Sequence, residues 1–286
     1  MYSKLEKPSV YIGISPKKQS LRIGEFRTFL YIYAYARHFH MPVYIRCDDT
    51  NPESRNEQNL WTIVNEMKRF GLTFFDTELH YWNGSILYQS KNTKLYREYL
   101  SVLEKKGLLS ELDGLVSLDF NKAINTISDN INFGKDILRR STSFDLKKSG
   151  YSYIPIYSKT EDKFLFHLPC VVDEYLMNVK IVIRGEYQIS LMPIHNVLRY
   201  LLGFSQIDYL HTPLLLLPES NKRINSEEYS LKNFLKKYST QEIVSYLLKS
   251  GYRQDYKGLL TLDDFAHDFE VEQIKKVSNR FNSEDI

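Results

Sequence analysis

Cysteine is scarce: the 286 residues hold two, Cys47 and Cys170, far apart in the chain. Both fall in segments that read as strand. Neither a disulfide framework nor a cysteine zinc site is supported, so no structural zinc is expected. Long apolar runs are missing too, and no stretch approaches membrane-spanning length. The opening Met1-Tyr2-Ser3-Lys4-Leu5-Glu6-Lys7 has no apolar core of a signal peptide. These absences predict a reduced, cytoplasmic protein that engages no membrane, with a monomer as the expectation. Strong charge of one sign is also lacking. A formal charge of +3 and a pI near 8.5 permit an RNA partner without arguing for one, and nothing points to DNA. No Ser–His–Asp arrangement and no metal-ligand cluster emerge, so the expected metal set is empty. His38 and His40 stand two residues apart, which a helix would splay. Low complexity and internal repeats are absent.

What is present is a nucleotide-binding pattern. Val10-Tyr11-Ile12-Gly13-Ile14 reads as a short buried strand, and Phe26, Phe29, Leu30, Tyr33, Ala34 and Arg37 follow at helical spacing. Gly24 therefore sits where a helix begins, and unpaired backbone N–H groups there suit a phosphate. Met41 to Cys47 supplies the next strand, placing Asp48 and Asp49 at its carboxyl end, where open α/β sheets bind ligands.

Further along, Glu57 to Phe70 and Leu95 to Lys106 read as helices stopped by Gly71 and Gly107. From there to about Lys163 the chain is polar and irregular. Phe164 to Val172 and Lys180 to Ile183 are apolar enough for buried parallel strands, joined by a helix around Asp173 to Met177. Ile194 to Leu202 makes another helix. The tail is helical: Ser239-Thr240-Gln241-Glu242 forms a capping box, and Thr261 caps a helix with Leu260 and Phe265 as a hydrophobic staple.

The turn Leu21-Arg22-Ile23-Gly24-Glu25-Phe26-Arg27-Thr28 resembles the HIGH signature of class I aminoacyl-tRNA synthetases in its glutamyl form, Leu-His-Ile-Gly-Gly-Ala-Arg-Thr. Asp48-Asp49-Thr50-Asn51-Pro52-Glu53 is similar to the segment that follows in glutamyl and glutaminyl enzymes. The likeness runs in order through Tyr88-Gln89-Ser90, Leu95-Tyr96-Arg97-Glu98-Tyr99 and Val171-Val172-Asp173-Glu174-Tyr175-Leu176-Met177, and it is strongest at Val182-Ile183-Arg184-Gly185-Glu186. It implies a Rossmann-type parallel sheet in two halves, residues 1–88 and 164–218. An inserted acceptor-binding-like subdomain, 89–163, would interrupt them, and a helical stem-contact-like domain, 219–286, would follow. No room is left for an anticodon-binding domain, as in the short glutamyl-queuosine tRNA(Asp) synthetases. Gly107-Leu108-Leu109-Ser110-Glu111 lacks the cysteines that some members carry in the insertion.

The resemblance further implies ATP, with Mg²⁺, as cofactor, and an amino acid and a tRNA acceptor stem as partners. Activation attacks the α-phosphate of ATP, which needs preorganised donors along the phosphate chain. The family supplies imidazoles in the first motif and lysines in a Lys-Leu-Ser-Lys-Arg loop, and both motifs are degenerate here. Arg22 stands for the first His and Glu25 for a Gly. Asn221-Lys222-Arg223-Ile224-Asn225-Ser226-Glu227 occupies the second motif, with Ser226 in place of the catalytic Lys and Glu227 in place of Arg. Losing one such donor costs on the order of 10²–10³ in rate, and Glu227 is expected to repel phosphate. Arg22, Lys222 and Arg223 are thus the candidate catalytic donors. Gly24, Arg22, Glu186 and Lys222 are the candidate ATP contacts, and Asp48, Arg184 and His167 the candidate amino-acid contacts. The first-strand arginine that binds the substrate's side-chain carboxylate is missing, with Ile12 or Tyr11 in its place, which makes glutamate a questionable substrate.

Bland readings stand beside these. Arg22 and Glu25 fit a solvated turn as well as a phosphate contact, Asp48 or Asp49 could cap a following helix, Arg184 could pair with Glu186 or Asp173, and His167 fits a satisfied core histidine. Three functions are compatible with the residues, and they leave open whether the chain is an enzyme. One is an ATP-dependent ligase that activates an amino acid and passes it to tRNA or another acceptor. Another is a catalytically silent paralogue that binds tRNA or an amino acid. The third is a transferase that uses aminoacyl-tRNA.

Overall fold

The computed structural model describes residues 4–74, 86–127, 133–139, 146, 150–253 and 255–286. The chain opens as a βαβ unit. Strand β1 (Val10–Ile14) feeds helix α1 (Ile23–His38), which returns to β2 (Val43–Cys47). Helix α2 (Glu57–Arg69) starts at Asn56, whose side chain accepts from the backbone N–H of Asn59, and it ends before Gly71 at φ 89°. Its Leu60, Ile63, Val64 and Met67 are all buried. Burying each such side chain is worth about 1.5–3 kcal/mol. Strand β3 (Ile86–Tyr88) completes a parallel sheet in the order β1-β2-β3, with Gly13 opposite Arg46 in the register.

Helix α3 (Thr93–Lys105) leads into a different layer. Strands β4 (Leu109–Leu112) and β5 (Leu115–Asp119) form a hairpin, followed by the short helix α4 (Phe120–Asn125). With β6 (Tyr153–Ser158) and β7 (Lys163–Phe164) they make a four-stranded antiparallel sheet. The expectation of irregular chain between Gly107 and Lys163 is corrected for the described part of that stretch; positions 128–132, 140–145 and 147–149 lie outside the described residues. The missed signal was Asp113-Gly114, both at positive φ (49° and 76°). That dipeptide is what a two-residue hairpin turn demands.

Helix α5 (His167–Leu176) corrects a second expectation. Phe164 to Val172 is not a parallel strand: Phe164 closes the antiparallel sheet, and His167 onward is helical, which places Cys170 and His167 on a helix. An unbroken apolar run does not discriminate strand from helix. Pro169 does, since it suits a first helical turn, whose N–H groups have no intrahelical acceptor, and would break a central strand.

Strand β8 (Ile181–Gly185), helix α6 (Leu191–Leu201) and strand β9 (Asp208–Thr212) give a second parallel pair. A parallel bridge between Ser9 and Val179 joins it beside β1. Strand β10 (Leu215–Leu216) precedes helices α7 (Leu231–Phe234), α8 (Thr240–Ser250) and α9 (Leu262–His267), and β11 (Asn279–Arg280) returns to pair with β10. Both sides of the Ser239–Glu242 capping box are formed, and Thr261 caps α9. The apolar faces of α8 and α9 share one core with α1, whereas α3, α4, α5 and α6 share another with the antiparallel sheet.

Candidate active site

The carboxyl ends of β1, β2 and β8, the first turn of α1, helix α5 and the segment after β10 enclose a cleft of about 190 Å³. Local chemistry explains its floor. The backbone N–H of Asp48 donates to the carbonyl of Ile14 (2.7 Å), which holds the end of β2 against β1. Arg46 projects from β2 and donates to Asp48 through Nε (2.6 Å) and Nη2 (3.1 Å). Its guanidinium lies 4.4 Å from the centre of the Tyr11 ring. The Tyr11 hydroxyl donates to Glu174 Oε1 (2.8 Å), and Glu174 Oε2 accepts from Arg199 Nη2 (2.7 Å), both charges being fully buried.

Arg184 reaches the cleft from β8. Its Nε donates to His211 Nε2 (3.0 Å), so that nitrogen carries no proton and His211 Nδ1 donates to Asp136 Oδ2 (2.7 Å). Burial pushes the His211 imidazole down to about 4, against the opposing pull of Asp136. The ring is therefore neutral, and Asp136 is held below the usual carboxylate range by hydrogen bonds that outweigh its burial.

The predicted residues separate. Gly24, Arg22, Asp48, Arg184 and Arg223 line the cleft together, whereas Lys222, Glu186 and His167 are not among its lining residues. Glu186 ties the fold instead, accepting from the Leu214 backbone (3.2 Å), the Ser278 hydroxyl and Arg139. Lys222 is exposed, and its backbone carbonyl accepts from Leu217. His167 stands behind the cleft, 3.4 Å from His195, its imidazole pushed to about 4 by burial and by Arg184. Asp49 turns away to accept from the backbone and hydroxyl of Ser90 (2.8 and 2.6 Å). Arg22 is buried and committed: Nη1 donates to the Ser20 carbonyl (2.9 Å), Nε to the Asn225 carbonyl (3.2 Å), and Nη2 pairs with Glu227 at 2.5 Å. Lys18 lines the cleft and donates to Asn225 Oδ1 (2.5 Å), while Arg223 stacks on the Tyr187 ring at 4.1 Å.

Reading the sequence missed Lys18, Arg46, Glu174 and His195 as cleft residues and left Ile12 and Tyr11 as alternatives, of which Tyr11 lines the cleft. Alternation along β1 was the available signal for Tyr11, because Ile12 faces the core and Tyr11 and Gly13 share the opposite face. The charged Arg46 inside an apolar strand was the signal for itself.

Residues 15–109 match the family of class I tRNA synthetases (E and Q), catalytic domain. Over those residues the chain resembles the glutamyl and glutaminyl enzymes of that family. It is 28% identical over 281 residues to the glutamate–tRNA ligase of Methylacidiphilum infernorum, with 93% of this chain and 59% of that protein aligned. To the ligase of Chlorobaculum parvum it is 21% identical over 310 residues, covering 92% of this chain and 61% of the other. The chain thus spans about three-fifths of the length of these curated relatives. In fold it superposes on a glutamate tRNA ligase from Elizabethkingia meningosepticum in complex with its amino acid, with a TM-score of 0.79 at 17% identity, over 98% of this chain and 68% of that one. A putative arginyl-tRNA synthetase from Campylobacter jejuni is more distant, at TM-score 0.55 and 10% identity. Among the described residues no helix is long and apolar enough to cross a membrane, and no three His, Cys, Asp or Glu side chains converge as a metal site.

Proposed function

We propose that this chain is a synthetase-like protein that binds an amino acid, free or carried on tRNA, in the cleft, and that its capacity for ATP-dependent activation is strongly curtailed. The observation that carries this reading is the commitment of Arg22. Phosphoryl transfer is catalysed by preorganised donors aimed at charge that develops on the phosphates. Arg22, at the start of α1, has its Nε, Nη1 and Nη2 engaged by Asn225, Ser20 and Glu227. A triphosphate would have to displace Glu227 to recover that guanidinium. The donor set therefore does not fit ATP poised for transfer.

The active-ligase reading keeps one support. Helix α1 begins without a side-chain cap, so the backbone N–H groups around Gly24 remain available to an anion, with Lys18 and Arg223 at the rim. The inserted segment and the helical tail supply the surfaces proposed to meet an acceptor stem.

ATP–pyrophosphate exchange measured across all amino acids tests the proposal. The expected outcome is exchange at or near background, with incorporation of label from aminoacyl-tRNA separating a transferase from a silent binder. Robust exchange together with charging of tRNA(Glu) would overturn it.

A further inference from the structure

Among the described residues, Arg184 makes one side-chain hydrogen bond, from Nε to His211 Nε2 (3.0 Å), and its guanidinium lies 5.2 Å from the centre of the Tyr209 ring. A guanidinium only donates, so His211 has to present a bare nitrogen to it. Nδ1 of the same ring donates to Asp136 Oδ2 (2.7 Å). Which nitrogen of a neutral imidazole carries the proton is set by the hydrogen bond that the other makes. His211 is 0% exposed and Asp136 1% exposed, so bulk water does not compete for either group.

Asp136 reaches this pair from the stretch of chain between α4 and β6. Residues 134–139 lie along the edge of β9 away from β8. The Ile137 N–H donates to the Tyr209 carbonyl and the Tyr209 N–H to the Lys135 carbonyl (both 2.8 Å), with Asp136 bridged in parallel to Tyr209. Asn196 Nδ2 donates to the Gly134 carbonyl (3.0 Å), and Asp208 Oδ1 accepts from the Lys135 N–H (3.1 Å). This seat aims the carboxylate. Oδ1 accepts from the Arg139 backbone N–H (2.8 Å), and Oδ2 accepts from the His211 backbone N–H (3.2 Å) as well as from its ring.

We propose that Asp136 is a positioning residue of the cleft: by holding the proton of His211 on Nδ1 it fixes where Arg184 stands, and so couples the seating of residues 134–139 on β9 to the cleft. The inference rests on the amino-acid-binding reading above and deepens it, since neither Asp136 nor His211 lines the cleft. Such coupling is reciprocal. A ligand that keeps Arg184 in place also keeps residues 134–139 on β9.

Two readouts test this without a ligand. NMR of the full chain with isotope-labelled histidine is expected to show His211 protonated at Nδ1 and bare at Nε2. Modification by phenylglyoxal, followed by peptide mass spectrometry, is expected to be slow at Arg184, as at the buried Arg46 and Arg199. Asp136→Ala leaves the Nδ1–H of a buried imidazole without an acceptor. The proton is then expected to move to Nε2, where it opposes the Arg184 Nε–H, and Arg184 is expected to react about tenfold faster. Arg46 and Arg199 are expected to stay slow, which a general loosening of the fold would not allow. Asp136→Asn is expected to behave as the unaltered protein, because an amide that turns its oxygen to His211 gives up only the Arg139 backbone contact. Calorimetry with the standard amino acids is expected to show binding weakened about tenfold by Asp136→Ala and changed less than about twofold by Asp136→Asn. Protonation of His211 at Nε2 in the unaltered protein would overturn the role of Asp136 even if Asp136→Ala does not fold. Unchanged Arg184 reactivity in a folded Asp136→Ala variant, or equal acceleration of all three arginines, would overturn it too. Binding of no amino acid by the unaltered protein would overturn the amino-acid-binding reading alone, with the link from Asp136 to Arg184 decided by the ring nitrogens and the arginine reactivity.

Discussion

Nη2 of Arg22 lies 2.5 Å from Oε2 of Glu227. One partner stands where the resemblance places a histidine and the other where it places an arginine, so the two departures from the family pattern neutralise each other. The repulsion expected of Glu227 toward phosphate becomes, in the fold, an ion pair that fastens the segment after β10 to the start of α1. A backbone bridge between Arg22 and Ser230 and the hydrogen bond from Leu231 N–H to the Leu21 carbonyl (2.8 Å) fasten it further.

The two ends of that pair are not equivalent. The Arg22 side chain is 7% exposed and that of Glu227 64% exposed. Glu227→Ala is expected to cost less than about 1 kcal/mol, because the pair is open to solvent on the glutamate side. Arg22→Ala is expected to cost about 2–3 kcal/mol, since it also strips donors from the Ser20 and Asn225 carbonyls. Urea denaturation of both variants checks the asymmetry, and equal losses would contradict it. Amide exchange at Asn225–Ser230 should quicken in both.

Beneath the cleft, Glu174 and Arg199 are paired where water does not reach. Arg199→Met leaves a buried carboxylate with only the Tyr11 hydroxyl, and is expected to destabilise by about 3–5 kcal/mol. Tyr11→Phe removes one donor to the same carboxylate and is expected to cost about 1 kcal/mol. Denaturant midpoints at constant slope are the measurement.

Titration of buried groups predicts a definite pH dependence. Burial raises the Asp173 carboxyl to about 7, against hydrogen bonds donated by Gln89 and Tyr96 (both 2.7 Å). Its folded value lies above the unfolded 3.8, so the unfolded chain releases this proton first and stability is lost as pH rises from about 4 to 7. Asp173→Asn should therefore gain on the unaltered protein across that window and level off above it. The buried imidazoles of His167 and His211, both near 4, and His195, also pushed down by burial, act in the opposite sense. Their contribution is whole above 6.5 and is lost as pH falls toward 4. Thermal melts from pH 4 to 8 with both proteins check the two slopes.

A methyl group at one glycine is expected to be severe. A Cβ on Gly134 would sit 1.7 Å from the Ile207 carbonyl oxygen, a clash with backbone and not with a side chain that can swing aside. Gly134→Ala is expected to cost about 3 kcal/mol or more, read as a shift in denaturation midpoint.

Local order was legible wherever neighbours in sequence carry the physics. The caps at Ser239 and Thr261 and the stops at Gly71 and Gly107 depend on residues within a turn of one another. So does the placement of Gly24 at a helix start and of Asp48 at a strand end. The opening βαβ and the α/β class followed from those periodicities. The apolar run after Phe164 was misread because hydrophobicity without period carries no register, and the weight of Pro169 was overlooked.

Tertiary structure decided what the charges do. Whether Arg22 faces a phosphate or an acidic side chain depends on a segment brought back from the other end of the chain, since Coulomb energy follows distance in space and not in sequence. The same holds for Arg46, whose guanidinium lies over the Tyr11 ring of the strand beside it, and for Asp173, whose carboxyl is raised by burial in the packed core against the hydrogen bonds that Gln89 and Tyr96 donate. The sequence by itself determined the α/β scaffold, its opening βαβ unit, its capped C-terminal helices and the degenerate motif positions, because short-range spacing and capping encode them. The pairing of the cleft's charges belongs to the fold, where packing of distant segments sets which guanidinium nitrogens are paired and which are not.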